Sequence, residues 1–193
     1  MRKLGRATSH LKRPLPHSVA RWFCEGSGYC NLSYDWKPQS RRLPPLQRRV
    51  DYLQGVGGEV RLGPVDQIEW WIEMCELWCE PLLSQPDSYS LPALNLWQTA
   101  FPICGFGDGD MLGVIPTESE GMEPVVYLIH DNPAESFILA PDFDVFFRLW
   151  EQLRYCDQNG LCFFANAGKT MLDPTSKAAS QLREWLPAIS ESL

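Results

Sequence analysis

Apolar positions recur along this chain with two different periods, and the changes between them mark out its elements. In "PVDQIEWWIEMCELWCE", Val65, Ile68, Ile72, Cys75 and Cys79 form one stripe at steps of three and four, joined by Trp71, Trp78 and Leu82. This predicts an amphipathic helix that starts at Pro64, carries Asp66 in its first turn where the helix dipole favours an acid, and stops at Pro81. Asp66, Glu69, Glu73, Glu76 and Glu80 make a second stripe, spread over only about 80° of the circumference at 100° per residue. A third stripe, Gln67, Trp70, Met74 and Leu77, is either buried by a second element or exposed as a docking surface. The chain has other apolar segments to cover it, so burial is the expectation.

Downstream the period shortens. Segment 86–95 is rich in Ser and Pro and reads as irregular. Phe101 to Cys104, Met111 to Ile115, Val125 to Ile129 and Phe137 to Ala140 are short apolar runs separated by "GFGDGD", "PTESEGMEP" and "HDNPAES". They predict an antiparallel meander over residues 101–140. The 3.6-residue period then returns in "PDFDVFFRLWEQLRYC", with Phe143, Phe146, Phe147, Trp150 and Leu153 on one face and Asp144 paired with Arg148 on the other. After the turn signal Asp157-Gln158-Asn159-Gly160, "LCFFANA" reads as a last strand, followed by a helix at about 176–185. "PLQRRVDYLQGVGG" reads as an earlier helix at about 46–54, ended by Gly55, Gly57 and Gly58. The fold class is α+β, an antiparallel sheet packed with helices.

Charge divides the chain differently. Met1 to Arg49 holds eleven Lys or Arg against two acids, a balance of +9, and the rest holds six against twenty-two, a balance of −16, which together give the net −7. The basic segment therefore reads as a partly disordered arm ahead of an acidic body. An acidic body disfavours nucleic acid and favours basic partners. No apolar run is long enough to span a membrane or form a secretory core, and Pro14 and Pro16 break the amphipathic helix that a basic transit peptide needs. Seven cysteines, an odd number, point to free thiols in a reducing cytoplasmic setting. Cys24, Cys30, Cys75 and Cys79 could close a zinc site, but their spacings are not those of the common zinc modules, and buried core thiols are the expectation.

"FPICGFGDGDMLGVIP" is the stretch where chemistry is easiest to imagine. Its glycines are followed by a strand pattern rather than a helix, and no Gly-Lys-Ser/Thr follows, so it does not cradle phosphate. Asp108-Gly109 between two apolar runs predicts a type I′ hairpin turn. Asp108, Asp110, His130 and Asp131 could meet at one end of the sheet and hold a metal, which would make a metal-dependent enzyme the alternative reading. Against it, His130 is the one body histidine and no nucleophile elbow is present, so no cofactor, bound metal or turnover is expected.

Four pieces in order carry a resemblance: "LPPLQRRVDYLQGVGGEVRL", "FPICGFGDGDMLGV", "PVVYLIHD" and "APDFDVFFRLWEQL". Together they resemble the SUKH superfamily, which contains fungal cell-wall-synthesis regulators and many bacterial immunity proteins. The matching features are Gly57-Gly58 after a first helix, the Gly-Asp turn at Gly107-Asp108 or Gly109-Asp110, the Pro124-Val125-Val126 strand running to His130, and the aromatic helix from Asp142. The resemblance spans Leu43 to Cys156, with Pro141-Asp142 where the family usually has a serine, and it implies a basic, partly disordered arm at residues 1–42, the folded domain at residues 43–157 and a C-terminal extension at residues 158–193. It implies a non-catalytic protein-binding domain that neutralises a toxin, monomeric when free, or a regulatory scaffold with a housekeeping partner. A basic toxin would suit an acidic surface, with Glu69, Trp70, Glu73, Met74, Glu76, Asp108, Asp110 and Asp131 as the expected contact residues.

Overall fold

The computed structural model describes residues 13, 15–25, 30–35, 57–63, 65–84, 91–119 and 121–185. Among them run α1 (His17–Glu25), β1 (Cys30–Asp35), β2 (Gly57–Leu62), α2 (Val65–Ser84), α3 (Leu91–Thr99), β3 (Phe101–Gly105), β4 (Met111–Val114), β5 (Val125–Leu128), β6 (Phe137–Ala140), α4 (Phe143–Gln152), α5 (Gln158–Phe163) and α6 (Lys177–Trp185). The helix expected at 46–54 lies outside the described residues.

The fold is α+β, and its centre is the meander. β3, β4, β5 and β6 pair antiparallel in chain order. Every residue of β4 and β5 is buried, so the sheet is covered on both faces, and its strands read as continuous apolar runs rather than alternating ones. Pro102 is tolerated because β3 is an edge strand with a register shift beside that residue. α2 lies against β3, where Gly105 lets the Trp71 indole approach so closely that a Cβ there would stand 2.7 Å from Nε1. On α4 the Asp142 side chain caps the first turn by accepting from Val145 N at 2.7 Å, while Phe143, Phe146 and Trp150 enter the core.

Five local expectations are corrected. Gly57 and Gly58, expected in a helix stop, open β2, which pairs with β1 in the register Asp35↔Gly57 to Cys30↔Leu62. α2 runs through Pro81 to Ser84, because the proline forfeits one bond to the Leu77 carbonyl on the exposed side, where water can take it. The irregular segment 86–95 is in part α3, which buries Ala93, Leu94 and Trp97. "LCFFANA" begins in α5, started by the Asp157 carboxylate accepting from Gly160 N at 2.9 Å. Asp144 does not pair with Arg148 but takes Arg21 Nη2 on both oxygens, at 2.8 and 2.9 Å.

Part of the basic arm is among the described residues. α1 is seated on the domain: Val19 is buried, and Trp22 stacks on Phe147 with ring centroids 5.6 Å apart. Its first turn is held by Glu123, which is 1% exposed and accepts from His17 N at 2.8 Å and Ser18 N at 2.7 Å. The C-terminal segment is likewise part of the same core through Leu161, Phe164, Leu172, Ala179 and Leu182, and Leu172 N donates to Leu139 O of β6 at 2.9 Å.

Candidate protein-binding surface

α2 has one face in the core and one in solvent. Ile68, Trp71, Ile72, Cys75 and Cys79 are buried; Gln67, Glu69, Trp70, Glu73, Leu77 and Glu80 are exposed. The third apolar stripe is therefore not covered, contrary to expectation: Trp70 is 55% and Leu77 54% exposed, while Met74 is half-buried against the core. At 100° per residue Glu69, Glu80 and Glu73 occupy about 40° of the helix surface, and Leu77 and Trp70 begin about 40° beyond. Acids and large apolar groups thus share a border.

Glu76 stands apart from the other acids. It is half-buried, and Arg13 lies over it with Nε 4.0 Å from the carboxylate while Arg13 Nη1 donates to Ala100 O at 2.7 Å. The same guanidinium stands near Cys75 and Cys79, yet burial dominates at both thiols: Cys75 is pushed up to about 12 and Cys79 is raised. Cys75 Sγ lies 3.3 Å from Met111 Sδ, inside the core. Cys24 is exposed on α1, and the Cys30 side chain lies outside the described ones. Among the described residues Cys24, Cys75 and Cys79 form no group arranged to hold a metal ion.

The second group of expected residues meets where the sheet strands turn. Phe106 N donates to Asp110 O at 2.8 Å and Gly109 N to Phe106 O at 3.2 Å, so three residues, Gly107 to Gly109, make the loop. Gly109 has φ +100°, whereas Asp108 is not among the positive-φ residues, so the turn is a three-residue loop with one left-handed position rather than type I′. Gly109 is also where the His130 ring comes closest, and a Cβ would lie 3.0 Å from it.

Asp110 ties this corner together. Its carboxylate accepts from Tyr127 Oη at 2.7 Å and from His130 N at 2.8 Å. Burial raises its pKa above the ordinary value, those two bonds oppose the rise, and the charges of Asp108 and Asp131 add to it. Tyr127 is raised as well, by burial first and then by Asp110. Cys162 is exposed as a residue, but its sulfur is shielded beside Tyr127 and is pushed up to about 11. Asp108 is exposed and accepts from Gln158 Nε2 and Asp110 N. The His130 ring rests on Trp78 with centroids 4.4 Å apart, and its Nδ1 lies 3.1 Å from exposed Asp131 at an angle that makes no hydrogen bond.

Asp108, Asp110, His130 and Asp131 are thus brought to one corner, as their placement around the sheet suggested. Asp110 is occupied in bracing the loop to β5 and the turn after it. Among the described residues no group of three or more His, Cys, Asp or Glu is arranged to hold a metal ion. Leu77 and Glu80 are the surface residues that the expected contact set omitted, although Leu77 follows Trp70 by two helical turns. Comparison with family models, curated proteins and solved structures finds no match to this chain.

Proposed function

We propose that this is a non-catalytic protein-binding domain of SUKH type, an immunity protein that neutralises a basic bacterial toxin with the exposed face of α2. The observation that carries the reading is the pair Trp70 and Leu77, each more than half exposed, bordered by Glu69, Glu73 and Glu80 on a helix whose other face is buried. Large apolar groups flanked by charge make anchors, and the acids steer a cationic partner into register. The motif order gives the toxin-neutralising part of the proposal, and the body's −16 balance agrees with a basic target. The cytoplasm, where an immunity protein meets an incoming toxin, is the proposed site of action. No helix among the described residues is long and apolar enough to cross a membrane.

Expression of the polypeptide encoded next to this gene should arrest growth, and co-expression of this chain should relieve the arrest and yield a complex. Trp70→Ala with Leu77→Ala should then speed dissociation about tenfold or more, the scale of losing one anchor. Relief that the double variant leaves untouched would move the interface off α2. A harmless neighbour, with a housekeeping protein co-purifying instead, would replace immunity by the scaffold role.

A further inference from the structure

A groove of about 570 Å³ separates α1 from α4. Its floor is aromatic: Trp22 stacks on Phe147 and meets Phe143 edge-on at 6.4 Å. A recess of about 130 Å³ continues from it past Ser18 and Arg148 towards Gly121. The volume is in the range of small-molecule sites.

The polar groups along this groove are unequally committed. Asp144 is held by Arg21, so Arg148, one turn further along α4, lines the groove without an ion-pair partner among the described residues. Ser18 is 7% exposed, and its hydroxyl has no hydrogen-bond partner; the indole N–H of Trp22 is likewise buried and unpaired. Buried polar groups are hydrogen-bonded as a rule, and two of the four exceptions among the described residues line this one groove beside an unpaired guanidinium. All three can donate. Serine moves between staggered χ1 wells at small cost, so its hydroxyl can turn to an acceptor seated on Arg148.

The rim limits the guest's charge. Glu25 and Asp144 balance Arg21 and Arg148 around the opening, so the rim has no net charge to draw in a multiply charged anion, and recognition falls to the hydrogen-bond fit at Arg148. A planar carboxylate also matches the guanidinium fork, and an apolar body suits the aromatic floor. We infer that the α1–α4 groove binds a small carboxylic acid with an aromatic or branched apolar body, its carboxylate on Arg148 and Ser18 and its body against Trp22, Phe143 and Phe147. The groove shares no residue with the exposed face of α2, so this site and the protein-binding reading stand or fall separately.

The probe is phenylacetate, titrated into the full chain and followed through the indole ¹⁵N–¹H signal of Trp22, assigned with Trp22→Phe. The expected result is a saturable shift. Phenylacetamide, which has the same shape without the charge, should bind at least about tenfold more weakly, as should phenylacetate to Arg148→Ala. Ser18→Ala should weaken binding several-fold, and Lys177→Ala, which removes an exposed charge on α6, should change nothing. A shift that fails to saturate by about 20 mM, a range far weaker than ordinary ligand sites, would overturn the proposal. Equal binding of the amide would overturn it too, as would an Arg148→Ala protein that titrates like the parent. Arg148 is exposed, so that variant keeps the fold and gives a readable result.

Discussion

Asp110, a residue with the look of a catalytic acid, accepts hydrogen bonds from Tyr127 Oη and His130 N and so braces a loop. Its folded pKa is raised by burial above the ordinary 3.8, so the native state keeps this proton to a higher pH than the unfolded chain does. The stability it contributes is full below 3.8 and is lost as pH rises through the folded value. Chemical denaturation from pH 7 down to pH 4 should therefore show the parent protein gaining stability relative to Asp110→Asn. A constant difference would mean that the carboxyl titrates as it does in the unfolded chain. Gly109 offers a second test at this scale. Alanine there must adopt φ +100° with its Cβ 3.0 Å from the His130 ring, and it should cost roughly 1–3 kcal/mol in denaturant midpoint analysis. A neutral Gly109→Ala would show that the loop can change its turn type.

At the scale of elements, the sequence was most legible where a period ran long. The four strands and α4 announced themselves through uninterrupted apolar runs and a full i, i+3, i+4, i+7 face. Three helices did not. α3 has neither an acidic first turn nor a basic last turn, and buries Ala93, Leu94 and Trp97 behind a Ser- and Pro-rich approach. α5 is six residues long, and its Leu-Cys-Phe-Phe reads equally as strand until the Asp157 cap is seen. α1 was hidden by the charge around it: the basic composition masked the spacing of Val19, Trp22 and Phe23. The exposed stripe of α2 was legible as a stripe but not as exposed, since only tertiary placement decides what covers a helix face. α1 also depends on a residue far away in sequence. Glu123→Ala removes the acceptor of both His17 N and Ser18 N, and it should cost about 1–2 kcal/mol. Limited proteolysis within residues 15–25 should then accelerate while the sheet stays protected. An unchanged cleavage rate would show that Trp22 and Arg21 suffice to hold the helix.

For the whole molecule, the uneven charge matters more than its sum. Replacing Glu69, Glu73 and Glu80 by Lys moves the net charge from −7 to −1, since each change adds two. It should slow association with a basic partner and flatten its salt dependence without lowering the melting temperature by more than a few degrees. Stopped-flow rates between low and physiological salt would decide it, and identical salt slopes would place the steering charges elsewhere. The Glu123 clamp on α1 bears on how the chain is made. The carboxylate that seats the helix lies 106 residues downstream of His17, and the Phe147 ring that Trp22 stacks on comes later still. Until both have been synthesised α1 has nowhere to dock, and nine residues are too few to hold a helix alone. Its apolar face, with Val19, Trp22 and Phe23, is open to chaperones over that interval and is withdrawn from them only when the sheet and α4 are in place.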